Sequence, residues 1–200
     1  MSGMRSPAAA VLAVVALAAA LVVPSAGSAQ AAASLSAPAI QPPNGWVRRE
    51  VDNWIYWVPN NRWVDTHNPN GIDISSPTGD IVVSYGWASS PVPLTTKGAI
   101  DYVLGELERT GAYADLRVVR TGPVNGAPGD ETQKVFWRAT GIHPEKGPRP
   151  VRGVLSVHVF TVGPGAYGFE AYLTIAPTAI WSRSTRTMEI IRSNIMYIPT

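Results

Sequence analysis

The chain has no cysteine and little charge: Asp, Glu, Lys and Arg together make up 15 % of its 200 residues. The first absence excludes thiol catalysis, cysteine zinc sites, disulfides and a lipid-attachment cysteine in one step. The second leaves 16 basic against 14 acidic residues, a net charge of +2. The cations are scattered along the sequence, so the basic footprint of a nucleic-acid binder is not expected. Short catalytic motifs are missing as well: there is no Gly-x-Ser-x-Gly, no His-x-His and no His-Glu-x-x-His. Nothing in the sequence calls for a cofactor or a metal. Past the first two dozen residues no apolar run is long enough to span a bilayer, so no stable membrane anchor is expected.

What is present begins with a targeting pattern. Arg5 supplies a positive start, Ala8 to Val23 is an uncharged run of Ala, Val and Leu, and Pro24 and Ser25 break it. Ala29-Gln30-Ala31 fits the small-x-small rule of signal peptidase, so residues 1–31 read as a signal peptide cleaved after Ala31, with Ala26-Gly27-Ser28 as an earlier site. The product is expected to be secreted, free or loosely associated with the cell wall. Residues 32–44 are rich in Ala, Ser and Pro and read as a disordered linker. Residues 45–200 then form one domain, long enough to bury a core without disulfide staples.

Within that domain the apolar spacing alternates between strand and helix periods. Asn53–Val58 is aromatic and β-branched and apolar on both faces, the mark of an internal strand. Ile72–Ser75 and Ile81–Tyr85 flank the turn sequence Ser76-Pro77-Thr78-Gly79-Asp80. Ile100, Val103, Leu104 and Leu107 follow helical spacing, with Thr95 or Thr96 placed to cap the start and Gly111 the end. Leu116–Thr121, Thr132–Ile142, Val151–Val162 and Tyr167–Ala176 read as further strands, the last two forming a hairpin around Gly163-Pro164-Gly165-Ala166. A second helix is expected from a Thr178 cap, with Trp181, Ser184, Met188, Ile191 and Ile195 on one stripe. Strands joined by short loops give an antiparallel sheet, here packed against two main helices: class α+β.

This order of pieces resembles the PsbP-like superfamily, in particular its actinobacterial exported branch. The resemblance lies in the aromatic strand ending at Pro59 with Trp63 close behind, the Ser76-Pro77-Thr78-Gly79 hairpin and helix, the long closing hairpin, and the terminal Ile190-Ile191-Arg192-Ser193-Asn194-Ile195. It implies an α/β/α sandwich and a binding or accessory role, since well-known members are not enzymes. It supplies no site residues. The missing lipid-attachment cysteine sets the chain apart from the lipoprotein members.

The candidate functional residues are few. Trp46, Trp54, Tyr56 and Trp87 belong to an aromatic cluster in the first half of the domain and are expected to include an exposed anchor for a protein or cell-envelope partner. Exposed rings along a groove would instead make a carbohydrate-binding module. Asp65 and His67 are two apart and on a strand would share a face; with a serine they would suggest a hydrolase, with another ligand a metal site, though the Asn68-Pro69-Asn70-Gly71 that follows marks a surface turn. An even hairpin loop sets His158 opposite Ala171 on the apolar side, while a slip of one residue sets it beside Glu170 and Tyr172. Lys134 with Arg138, and Glu170 with Tyr172, read as solvated sheet faces or as a shallow polar patch that meets a partner.

Overall fold

The computed structural model describes residues 39–198; the leader, its cleavage point and the linker before residue 39 lie outside the described residues. Eight strands form one antiparallel sheet. In chain order these are β3 (Val64–Asn68), β4 (Gly71–Ser75), β5 (Val82–Ser90), β6 (Tyr113–Thr121), β7 (Asn125–Ala127), β8 (Asp130–His143), β9 (Gly147–Gly163) and β10 (Ala166–Pro177). Across the sheet the order is β3-β4-β5-β10-β9-β8-β6, with β7 paired to β8. A second sheet of three short strands, β1 (Val47–Val51), β2 (Trp54–Val58) and β11 (Met196–Tyr197), is ordered β1-β2-β11. Helix α1 spans Thr96–Arg109 and helix α2 spans Trp181–Ser193. The α+β expectation therefore holds. The smaller sheet is an addition to it: β2 is internal, as its two apolar faces require, but its neighbours are β1 and β11 and not the main sheet.

Alternation along the strands divides the core into two. On one face Val135, Trp137, Leu155, Val157, Phe169, Ala171 and Leu173 pack under Ile100, Val103, Leu104 and Leu107 of α1. On the other, Ile72, Ile74, Val83 and Ala176 meet Met188 and Ile191 of α2 and Trp54, Tyr56 and Val58 of β2. Helix α1 begins as the sequence predicts, with Thr95 Oγ1 accepting from the Gly98 N–H at 3.0 Å, and Gly111 follows its end with φ +70°. Helix α2 does not start on a Thr178 cap. A single 3-10 turn, Thr178–Ile180, precedes it, and no side chain caps its first residue. Ordered contacts also begin earlier than Trp46: the Ile40 N–H donates to Ser193 Oγ (3.3 Å) and Asn194 Nδ2 donates to the Ile40 carbonyl (2.8 Å).

Three local features pin the strands in place. Trp137 lies against Gly153 across the β8–β9 ladder, where any Cβ would sit 2.2 Å from the indole; glycine is the residue that leaves room for the ring. The β9–β10 ladder carries a bulge: Ala166 pairs with Gly163, but Tyr167 pairs with Thr161. The extra residue, Val162, shifts the register by one, so His158 stands opposite Glu170 and not opposite Ala171. The apolar placement of His158 is thereby corrected.

The third is a clasp between distant turns. Lys146 Nζ donates to both Asp80 carboxylate oxygens (2.9 and 2.8 Å), Arg149 Nη1 lies 2.5 Å from Oδ1, and His143 Nε2 donates to the Thr78 carbonyl at 2.9 Å. The β8–β9 tip is thus bound to the β4–β5 turn. Burial pulls the Asp80 carboxyl upward, but the hydrogen bonds from Lys146, Thr78 and Arg149 outweigh it and hold the pKa at about 2, below the ordinary 3.8. The folded pKa is depressed, so the contribution to stability is complete above pH 3.8 and is lost as pH falls through about 2. Lys146 stands partly in water, and with that screening the loss should amount to about 1–2 kcal/mol. Urea unfolding between pH 5 and pH 2 should show that decline in the native chain and a flatter one in Asp80→Asn; equal slopes would remove the clasp as the source.

Candidate functional site

The face opposite α1 is covered unevenly. Helix α2 and the small sheet cover β4, β5 and part of β10. The half formed by β9, β8 and β6 is left open, and two features lie there side by side: a buried polar chain and a cationic groove.

The polar chain begins at Tyr85, whose hydroxyl donates to Glu170 Oε2 at 2.8 Å. Glu170 Oε1 meets His158 Nδ1 at 3.0 Å, and His158 Nε2 meets Asp130 Oδ1 at 2.6 Å. Glu170 is 1 % exposed and His158 6 %. Each imidazole nitrogen thus faces a carboxylate oxygen. Burial, and then the charge of Glu170, push the Tyr85 hydroxyl far above its ordinary pKa, so it remains a donor. Glu170 and Tyr172 are buried and do not form the solvated row expected of them. They alternate along β10 with Phe169, Ala171 and Leu173 of the α1 side, and on the other face the Tyr85 ring and Arg192 of α2 lie against Tyr172.

The groove opens beside this chain, with a volume of about 570 Å³. Arg120 from β6, Lys134 from β8 and Arg192 from α2 converge on it. The Arg120 guanidinium lies 3.8 Å from the centre of the Phe136 ring, and Lys134 Nζ lies 5.8 Å from it. Thr132 and Ser156 add hydroxyls to the wall. Next to it Arg117, Arg138 and Arg152 stand opposite one another across β6, β8 and β9. Among the described residues none of these six cations forms an ion pair. Burial, followed by repulsion from Arg192, lowers the pKa of Lys134; Glu189 acts the other way and Arg120 adds to the repulsion. Cations scattered in the sequence are gathered here by strand register, a correction to the even distribution read from the chain.

The aromatic candidates divide. Trp54 and Tyr56 are each 1 % exposed and belong to the core, which corrects the expectation of an exposed anchor at those positions. Trp54 packs between Tyr85 and Tyr197, with ring centres 5.6 and 4.9 Å away, because the small sheet folds it inward. Trp46 and Trp87 are half-buried, so none of the four is a fully exposed ring. Asp65 and His67 do meet, with Nδ1 to Oδ2 at 3.1 Å, but Nε2 faces the Asp52 carboxylate at 2.9 Å. Asp65 also accepts from the Tyr56 hydroxyl at 2.5 Å. The hydroxyl that nucleophilic catalysis needs at the free ring nitrogen is replaced by a second carboxylate. Among the described residues no group of three His, Asp or Glu is placed to hold a metal ion, and no helix is long and apolar enough to cross a membrane.

No family model matches the chain and no curated protein matches it. Three solved structures are similar. The solution structure of cyanobacterial PsbP from Synechocystis aligns at a TM-score of 0.48 and 10 % identity, covering 86 % of this chain and 99 % of that one. LpqN of Mycobacterium tuberculosis, described as involved in cell envelope biogenesis, aligns at 0.45 and 10 % identity over 78 % of this chain and 80 % of that one. The Ran-binding protein Mog1p of Saccharomyces cerevisiae aligns at 0.43 and 8 % identity over 76 % of this chain and 96 % of that one. These likenesses concern the fold, and they assign no residue a role.

Proposed function

We propose that the chain is a secreted, non-enzymatic accessory protein that binds another protein or a component of the cell envelope, and that it does so through the open half of its main sheet. In this reading the architecture is a PsbP-like α/β/α sandwich whose second helical layer is shared between α2 and the small sheet. One observation carries the proposal. The β6–β8–β9 face holds Arg117, Arg138 and Arg152 in one cross-strand row, with no carboxylate paired to any of them among the described residues. Like charges set directly opposite one another destabilise a sheet. A protein that keeps them there without partners has a surface complementary to an acidic one.

The test uses the full chain immobilised against an envelope fraction, with Arg138→Glu/Arg152→Glu as the comparison. Retention of an envelope component by the native chain, reduced about tenfold or more in the charge reversal, is the expected result. Equal retention by both proteins, or none by either, would overturn it.

A further inference from the structure

From the groove beside that face we infer that the chain has a site for a phosphate ester of a hydroxylated small molecule. The inference rests on the reading of the open face as a binding surface and adds the chemical class of what it holds. Three cations, Arg120, Lys134 and Arg192, come from three separate elements to one concavity of about 570 Å³, a size suited to a small ligand. One carboxylate, Glu189, acts on Lys134, leaving a local excess of two positive charges. A phosphate monoester carries about −1.5 to −2 and three acceptor oxygens, and so matches that excess. A single carboxylate supplies one charge and two oxygens.

The donors have the matching geometry. Arg120 lines the groove with its guanidinium 3.8 Å from the centre of the Phe136 ring, a stacking that restrains it. Planar forks of this kind suit phosphate oxygens. Lys134 adds a compact charge beside it. Thr132 and Ser156 line the same wall with hydroxyls, which are partners for the alcohol groups of the remainder of the ligand.

The full chain is titrated calorimetrically at low salt with glycerol 3-phosphate, with glycerol, and with glutarate, and is sedimented with vesicles of phosphatidylcholine with and without phosphatidic acid. Saturable one-to-one binding of the phosphate ester, and none of glycerol, is the expected result. Arg120→Gln/Arg192→Gln should weaken it about tenfold or more, while Lys134→Arg should retain it. An unchanged melting temperature shows that the double variant is folded. Association with phosphatidic acid vesicles assigns the ester to a lipid headgroup, and binding of glycerol 3-phosphate alone assigns it to a soluble molecule; either supports the site. Glutarate or a polyglutamate peptide binding as tightly as the ester would overturn it in favour of an acidic protein segment. So would ester binding unchanged in the folded double variant, or no ester bound in either arm. Arg138 and Arg152, changed in the partner test, are untouched here, so loss of one activity with retention of the other separates the two readings.

Discussion

Replacing Glu170 by alanine should lower the free energy of unfolding by about 3–5 kcal/mol, since two partners each lose a buried acceptor at about 1–3 kcal/mol apiece and the side chain's packing is lost as well. Glu170 is 1 % exposed and serves two partners, Tyr85 through Oε2 and His158 through Oε1. Alanine leaves the Tyr85 hydroxyl and the imidazole of His158, itself 6 % exposed, without their acceptor. Glu170→Gln preserves the shape and one acceptor and should cost less. Tyr85→Phe removes one donor while keeping the ring that packs on Trp54 and Tyr172, and should cost about 1 kcal/mol. Denaturant unfolding followed by tryptophan fluorescence gives all three values. The ranking Ala, then Gln, then Tyr85→Phe is the content of the prediction; a Glu170→Ala variant as stable as the native chain would show that the polar chain contributes nothing to the fold.

Trp54→Ala should cost a similar amount, about 3–5 kcal/mol, as truncation of a buried ring does. The indole fills the space between the main sheet and the small one, edge-on to Tyr85, tilted against Tyr197, with its N–H donating to the Asn68 carbonyl at 3.2 Å. Its removal empties the junction of the two sheets. Trp87 is the internal control. It is half-buried, so Trp87→Ala should cost markedly less, because part of the ring is already in water. Thermal and urea denaturation of the two variants side by side decide the matter. Equal losses would mean that Trp87 anchors the core as firmly as Trp54.

These aromatic residues show how far the sequence is legible. A run such as Trp54-Ile55-Tyr56-Trp57-Val58 announces an internal strand, and β2 is one. It does not announce which sheet will cover it. Of the two strands that flank β2, β11 is two residues long and β1 reads Val-Arg-Arg-Glu-Val, patterns too short or too polar to stand out. Strand β3, Val-Asp-Thr-His-Asn, is hidden for the same reason: an edge strand half in water has no apolar alternation to detect. Helix α1 is readable because four apolar residues keep helical spacing and Thr95 caps it. The bulge at Val162 is not, since one extra residue in a loop rich in glycine leaves no chemical trace, yet it decides whether His158 meets Ala171 or Glu170. The groove is half readable. Lys134, Phe136 and Arg138 alternate along one strand face, but their meeting with Arg120 and Arg192 depends on sheet order and on where α2 lands.

The pairing of β11 with β2 also sets an order of events. Met196 and Tyr197 close on Ile55 and Trp54, and the Ile198 N–H reaches the Asn53 carbonyl at 2.8 Å. Bringing together strands separated by most of the domain carries a loop-closure entropy that local hairpins do not. The hairpins β3–β4, β8–β9 and β9–β10 can form from neighbouring residues, while the small sheet waits for the last stretch of the domain. Until that stretch arrives, Trp54 lacks one of its two ring neighbours and β2 has an open edge. Non-local closure of this kind slows folding relative to a chain built from local contacts.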